Sequence, residues 1–317
     1  MHPKKKLNKI SVLLLTYNHA HTIENSINSI LEQNLKDFEF IISDDCSNDG
    51  TWEKVKDIQK KNKKIIITQT NKNLGMPGNT NHGFSLCTKP YVALLHHDDL
   101  YDANLLNSWG ELIEKYNESA FVFNSYKNYE TNRITTFMPS EILEGDWLIR
   151  NSLYKTLYCE IRGTCMIRKS AFYSIGGMNE KFGYLADIDL WIKLAKKYSV
   201  CFSNKALITV KTDRPEYYSQ DYLPYKKFWR KKNLLYDIYF ENIKEHKNSS
   251  LIKNKFLWYR YLFNVNKDII YWILLHSYKK KFDIVLEVKQ IYNREEIFFG
   301  TKLFILIISS VIKIFKK

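Results

Sequence analysis

The sequence has no cysteine pattern that would staple a fold or hold a zinc ion. Its five cysteines, Cys46, Cys87, Cys159, Cys165 and Cys201, form no CxxC pair and are odd in number. That excludes a disulfide framework and fits reduced thiols in a cytoplasm. The start, MHPKKKLNK, lacks an apolar core, so no signal peptide is expected. There is no repeat of fixed period and no low-complexity tract beyond short lysine runs, which excludes a solenoid. Acidic residues are scarce: 34 Asp and Glu face 48 Lys and Arg, a net charge of +14. Such a chain should meet anionic partners, and charge alone leaves open nucleic acid, a phosphorylated small molecule or a membrane surface. RNP, KH and helix-turn-helix patterns are missing, which makes nucleic acid an unlikely partner on this reading.

What is present points to a globular protein. At 317 residues, with 45% apolar and 15% aromatic residues, the chain can bury one large core or two modest ones. From Lys9 to Tyr126 short apolar strands alternate with amphipathic helices, the pattern of a mostly parallel sheet flanked by helices. Strands are expected at Ile10–Thr16, Phe38–Ser43, Ile65–Gln69, Tyr91–His96 and Ala120–Asn124. Ile23, Ile27, Ile30 and Leu31 mark one buried helical face, and Trp52, Val55 and Ile58 another. Residues 127–163 read as a mixed excursion. A strand near Thr164–Arg168, a break at Gly176-Gly177, a helix over Leu190–Tyr198 and two short strands, Val200–Ser203 and Ala206–Lys211, follow it.

The character changes at Pro215. Residues 216–317 carry 20 Lys and Arg against 10 Asp and Glu and read as helical, so two domains are expected, 1–215 and 216–317. Stretches such as YKKFWRKK (225–232) and WYRYLF (258–263) suit a lipid headgroup layer, a single-strand binder or a helical core with lysines outside. The apolar segment Leu303–Phe315 would span only about 20 Å as a helix, against about 30 Å for a bilayer core. It reads as an in-plane or shallow anchor flanked by Lys313, Lys316 and Lys317, or as a helix packed on its neighbours.

Carboxylates crowd two strand ends. Asp44-Asp45-Cys46-Ser47-Asn48-Asp49-Gly50 follows the second strand, at the edge where open α/β sheets bind ligands. Its Asp45, Ser47, Asp49 and Gly50 match the opening of an EF-hand loop, but the twelfth position is Lys56 where a bidentate Glu is required, which excludes calcium binding of that kind. LLHHDDLYD (94–102) closes the Tyr91 strand. In an extended chain His96 and Asp98 share one side and His97 and Asp99 the other. One or both carboxylates holding Mg²⁺ or Mn²⁺ is therefore the economical arrangement, and a site built from both histidines the lesser one.

ISVLLLTYN (10–18), FEFIISDDCSNDGT (38–51), NLGMPGNTNHG (73–83), YVALLHHDDLYD (91–102) and GGMNEKFGYLADIDLWIKLA (176–195) occur in one order over about residues 9–213. In this the chain resembles family 2 of the glycosyltransferases, with the GT-A fold. The resemblance implies a mostly parallel α/β sheet, followed here by a mainly helical region, and an inverting, metal-dependent hexosyltransferase. Thr16, Tyr17 and Asn18 would lie at the nucleotide, and Asp45 would accept a hydrogen bond from a uracil-type ring. Asp98 and Asp99 would be the DxD motif, Asp99 binding Mn²⁺ or Mg²⁺ directly and Asp98 lying nearer the ribose or a metal-bound water. Asn81 stands in the nucleotide-contacting segment, where Asn79-Thr80-Asn81 lacks the family's arginine. Asp187 would be the catalytic base, with Ala186 replacing the family's Glu and Asp189 structural. Asp213 would replace a metal-binding His. The expected partners are a nucleotide-sugar, UDP-linked first, a glycan or lipid-linked glycan acceptor, and an anionic membrane surface, with the protein cytoplasmic and peripheral to the inner face of the cell membrane. A nucleotide-sugar pyrophosphorylase and a non-catalytic RNA-binding scaffold are the alternatives.

Overall fold

The structure is a computed structural model that describes residues 9–153, 159, 161–211, 228–279 and 281–315. The chain forms two compact units, Met1–Ile149 with Cys159–Asp213, and Arg150–Tyr158 with Arg214–Lys317.

The first unit is built on one mixed sheet. Its strands are β1 (Ile10–Thr16), β2 (Glu39–Asp44), β3 (Ile65–Gln69), β4 (Tyr91–His96), β5 (Leu100–Tyr101), β6 (Ser119–Asn128), β7 (Ile134–Thr135), β8 (Ile142–Leu143), β9 (Cys165–Arg168) and β10 (Ser199–Val210). The main path runs β3-β2-β1-β4-β9-β6-β10-β5, with β7 on β6 and β8 on β10. β1, β2, β3 and β4 pair in parallel, as do β6 and β10, while β9 lies antiparallel between β4 and β6. Register sets Thr16 beside Asp44 and Leu15 beside His96, so the carboxyl ends of β1, β2 and β4 form one edge.

Among the described residues the helices beside this sheet are α1 (Ile23–Leu31), α2 (Thr51–Lys61), α3 (Gly75–Leu86), α4 (Leu105–Lys115), α5 (Gly145–Leu148), α6 (Lys169–Ser174) and α7 (Ala186–Lys197). β1 is apolar almost throughout because helices cover both its faces. Val12 and Leu14 join a core with Ile27 and Ile30 of α1, Val55 of α2 and Trp109 of α4. Each such side chain contributes roughly 1.5–3 kcal/mol through its burial. Leu13 faces the other way, against α3, where Gly83 has no side chain; a Cβ there would fall 2.5 Å from Leu13 Cδ1.

One element has no assignment from the sequence, and one departs from expectation. NLGMPGNTNHG, rich in turn formers, is largely helical as α3: Pro77 lies in its first turn, where a missing N–H costs nothing. The two strands expected over 200–211 are one continuous β10, whose register against β6 slips between Ser203 and Ile208. Asn204 and Lys205 point to solvent at that bulge and interrupt the apolar pattern.

The second unit is helical: α8 (Phe228–Ile243), α9 (Ile252–Tyr278), α10 (Phe282–Leu286), α11 (Lys289–Tyr292) and α12 (Phe299–Phe315). Trp229, Tyr236 and Tyr239 of α8 are buried, as are Trp258, Tyr261 and Ile269 of α9. Asp268 accepts hydrogen bonds from Lys232 Nζ (2.8 Å), Tyr236 Oη (2.9 Å) and Trp272 Nε1 (2.7 Å). Part of the basic, aromatic stretch is thus core. No helix among the described residues is long and apolar enough to cross a membrane.

Candidate active site

Two loops meet at the carboxyl edge of β1 and β2. Asn18, with a left-handed φ of 52°, donates from its backbone N–H to Ser47 Oγ (2.9 Å) and accepts at Oδ1 from the Asn48 N–H (2.9 Å). Asn tolerates this φ better than most residues. Some desolvation of the exposed Asp49 carboxyl is outweighed by N–H donors from Ala20 and Thr51 and by the Thr51 hydroxyl, which hold it below the usual range. These bonds give a fixed floor, from which Tyr17 projects 39% exposed while Thr16 is buried. The Thr16 hydroxyl has no hydrogen-bond partner among the described residues.

The adjacent Asp44 and Asp45 do different work. Asp44 is fully buried and accepts from the Ser47 N–H (2.9 Å), the Ser47 hydroxyl (2.6 Å) and Gln69 Nε2 (2.9 Å), which fixes the turn. Asp45 hangs from the β1 end through its N–H to the Thr16 carbonyl (2.9 Å). Its Oδ1 accepts from the Thr70 hydroxyl (3.0 Å) and the Leu74 N–H (2.8 Å); Oδ2 has no protein donor among the described residues.

At the end of β4 the chain turns at His97 and Asp98 before entering β5. The turn changes the expected division of side chains. His96, Asp98 and Asp99 each offer a ligand atom within 4.8 Å of the others, and both carboxylates are buried. His97 is not part of that trio: its Nδ1 lies 3.0 Å from the Leu15 carbonyl and its ring centroid 3.6 Å from that of His19, while its Nε2 stands 4.0 Å from Asp98 Oδ2. Ser26 of α1 pins the turn, its hydroxyl 2.8 Å from the His97 carbonyl and 2.9 Å from the Asp99 carbonyl. Tyr101 does the same at the strand end, donating its hydroxyl to the His96 carbonyl (2.6 Å) and accepting the His96 N–H (2.8 Å). Room for the His96 ring comes from Gly163, where a Cβ would stand 2.4 Å from His96 Cε1. One imidazole with two carboxylates fits a divalent cation of intermediate hardness such as Mn²⁺ better than Mg²⁺, which prefers oxygen alone.

Asp187 lies in the first turn of α7. Burial pushes its carboxyl up to about 6, against the opposing pull of the Ile188 N–H, 2.9 Å from Oδ1, and of Arg162. Asp189 is buried and paired with Lys193 at 2.6 Å. Arg162 and Gly163 are consecutive: the charge of the first acts on Asp187, and the second stands against the His96 ring. Asn81 spends both ends of its amide on the Met178 backbone, donating to the carbonyl (3.0 Å) and accepting the N–H (2.9 Å), which ties α3 to the Gly176-Gly177 turn. Asp213 lies outside the described residues.

Sequence reasoning singled out Asp45, Asp98, Asp99 and Asp187, but gave no part to Ser26, Arg162 or Gly163. Each of these three matters only through a contact made across the fold, and no spacing rule marks such a contact. His96 was visible in LLHHDDLYD, and the cue to its participation was the Asp-Asp pair, a turn former directly after a strand.

A family model for Glycosyl transferase family 2 matches residues 11–176. The chain is 30% identical over 194 residues to a GalNAc(5)-diNAcBac-PP-undecaprenol beta-1,3-glucosyltransferase of Campylobacter jejuni, a match covering 60% of this chain and 61% of that protein. It therefore spans less than two thirds of that relative's length. Among solved structures, residues 1–349 of S. aureus TarS in complex with UDP-GlcNAc superpose with a TM-score of 0.65 at 18% identity, covering 90% of this chain and 80% of that one. A mannosyltransferase, PcManGT from Pyrobaculum calidifontis in complex with GDP-Man and Mn²⁺, gives 0.53 at 13% identity over 98% and 88%. At these identities the structural likeness establishes a GT-A type α/β fold. The family match takes in β1 to β4, both acidic strand ends and the turn at Gly176, more than half of the 317 residues, and the chain belongs to glycosyl transferase family 2.

Proposed function

We propose that the chain is an inverting, metal-dependent hexosyltransferase. It moves a sugar from a nucleotide-sugar, UDP-linked first among those to test, to a hydroxyl of a lipid-linked glycan intermediate. The observation that carries this reading is the gathering of His96, Asp98 and Asp99 at one strand end, in the same unit as Asp187, a raised carboxylate. On this reading the candidate diphosphate-side site and the candidate base share one wall.

Thr16, Tyr17 and Asn18 would floor the base pocket, and Asp45 Oδ2 would accept the N–H of a uracil-type ring. The UDP-GlcNAc held by the TarS neighbour supports this donor class. His96, Asp98 and Asp99 would hold Mn²⁺ or Mg²⁺, the imidazole favouring Mn²⁺, with Asp99 as the direct carboxylate ligand. Bound there, the cation supplies Lewis-acid stabilisation of the charge that grows on the leaving diphosphate.

Asp187 takes the proton of the acceptor hydroxyl. That oxygen attacks the anomeric carbon on the face opposite the diphosphate, the bond from that carbon to the phosphate oxygen breaks, and its electron pair leaves with the nucleoside diphosphate. The configuration inverts. A carboxyl near 6 is mostly ionised at neutral pH yet is a stronger base than an ordinary aspartate. Asp189, neutralised by Lys193, is excluded from this role.

We assign donor and acceptor to residues 1–215 and membrane approach to the basic residues 216–317, with the enzyme working at the inner face of the cell membrane. The undecaprenol diphosphate in the Campylobacter relative's name supports a lipid-linked acceptor. Incubation with a panel of nucleotide-sugars, Mn²⁺ and undecaprenyl-diphosphate glycans should release UDP and form glycosylated lipid, and EDTA should stop both. Release of pyrophosphate would identify a pyrophosphorylase, and transfer undiminished by EDTA would remove the cation from the reaction.

A further inference from the structure

α9 is apolar on two opposite faces. Its inner face packs into the second unit through Leu257, Trp258, Tyr261, Val265, Ile269 and Ile273. Its outer face repeats at the same three-and-four spacing: Phe256, Tyr259, Phe263, Tyr271, Leu274 and Tyr278 are 52% to 87% exposed. A surface helix normally turns charge outward there, and a stripe of this length on a monomer marks an interaction site. α12 repeats the arrangement on a smaller scale, with Phe299, Leu303, Leu306 and Ile307 exposed.

We infer that the outer faces of α9 and α12 dock in the headgroup layer of an anionic lipid bilayer. This deepens the proposed lipid-linked acceptor and rests on that reading for its partner. At 100° per residue Lys253 and Lys255 flank the stripe on either side and Lys267 lies within it. All three are exposed, and their side chains make no ion pair among the described residues. Tyrosines supply an apolar ring with a polar tip, the chemistry of a membrane interface. The helix is about 40 Å long, but Lys253, Lys255, Arg260, Lys267 and Asp268 are spread through it, so it lies along the surface and does not cross. Charge decides against a second copy as the occupant. Residues 216–317 hold 20 Lys and Arg against 10 acids, net +10, so two copies repel while an anionic leaflet attracts.

Flotation of the full chain with vesicles free of any glycolipid tests the surface separately from the acceptor. The protein should float with phosphatidylcholine vesicles containing about 30% phosphatidylglycerol and stay behind with phosphatidylcholine alone. Phe256→Ser combined with Phe263→Ser, and separately Lys253→Glu with Lys255→Glu and Lys267→Glu, should each lower partitioning at least about tenfold. Both sets should keep the wild-type melting temperature and UDP affinity. Absence of binding to anionic vesicles, or wild-type partitioning by both variants, would overturn the inference. So would a dimer in solution that the phenylalanine pair dissociates, which would identify a second copy on this face. Vesicle binding by a protein inactive on every lipid-linked acceptor would support the surface and refute the acceptor.

Discussion

Asp187 and Asp189 stand two residues apart in one helical turn, and their surroundings give them different chemistry. Asp189 is paired with Lys193, while Asp187, raised to about 6 chiefly by burial, is the proton acceptor we propose. Asp187→Asn should cut transfer by about 10²–10⁴-fold while UDP affinity, measured by calorimetry, holds within about threefold, because a base acts in the transition state. Equal loss of both would remove Asp187 from the role. Wild-type turnover should rise with pH through about 6 and then level, since the carboxylate is the active form. Stability runs the other way. The folded carboxyl titrates above its ordinary value of 3.8, so its contribution is whole below that value and is lost as pH rises through about 6. Asp187→Asn should therefore melt a few degrees higher than wild type at pH 7.5, and the gap should close near pH 3.5, below the unfolded value. The acidic residues of the site were legible because aspartates at strand ends are conspicuous. The convergence of His96 with both carboxylates was not, because strand alternation, carried one residue too far, sends Asp99 away from His96. Gly163→Ala probes that convergence: a methyl 2.4 Å from the His96 ring should weaken Mn²⁺ binding, read by titration, at least about tenfold, with secondary structure intact.

At the scale of elements, β1 and β4 fall where their apolar runs end, since a strand covered on both faces leaves an uninterrupted hydrophobic signal; β3, at the sheet edge with Ile66 exposed, is marked by its short β-branched run alone. α3 was hidden because its helical state is enforced from outside. Asn79 exchanges hydrogen bonds with Ser43 of β2 (2.6 and 3.0 Å), Gly83 admits Leu13, and Asn81 clamps Met178. None of this follows from local propensity, which for a stretch with three glycines and a proline favours a turn. Gly177 closes the clamp: its φ is +76°, and a Cβ would lie 2.8 Å from Asn81 Oδ1 and 3.2 Å from the Phe172 ring. Gly177→Ala should cost about 1–3 kcal/mol in chemical denaturation. Gly176→Ala, at φ +83° but with nothing within 4 Å, should cost only the backbone part of that. Equal effects would mean that the packing against Asn81 is immaterial.

For the whole molecule, the distribution of charge is the dominant feature. Of the net +14, residues 216–317 account for +10, while the acidic strand ends belong to the first unit. Raising salt from about 0.05 to about 0.5 M should therefore depress transfer to an acceptor embedded in anionic vesicles, with little effect on transfer to a detergent-dispersed acceptor. Equal salt sensitivity in both assays would place the electrostatic dependence within the donor site. The division into an α/β part and a basic helical part was legible from composition. Which aromatics are core was not, since Trp258 and Tyr259 are neighbours in sequence and end up on different faces of α9. The reading as a whole stands on a divalent cation held by His96, Asp98 and Asp99 against the diphosphate of a bound nucleotide. Calorimetric titration of UDP with and without Mn²⁺, on wild type and on Asp99→Asn, tests it most directly. Mn²⁺ should tighten UDP binding by at least about tenfold in wild type and leave Asp99→Asn unaffected. UDP affinity indifferent to Mn²⁺ in wild type, or equally Mn²⁺-dependent in the variant, would contradict it.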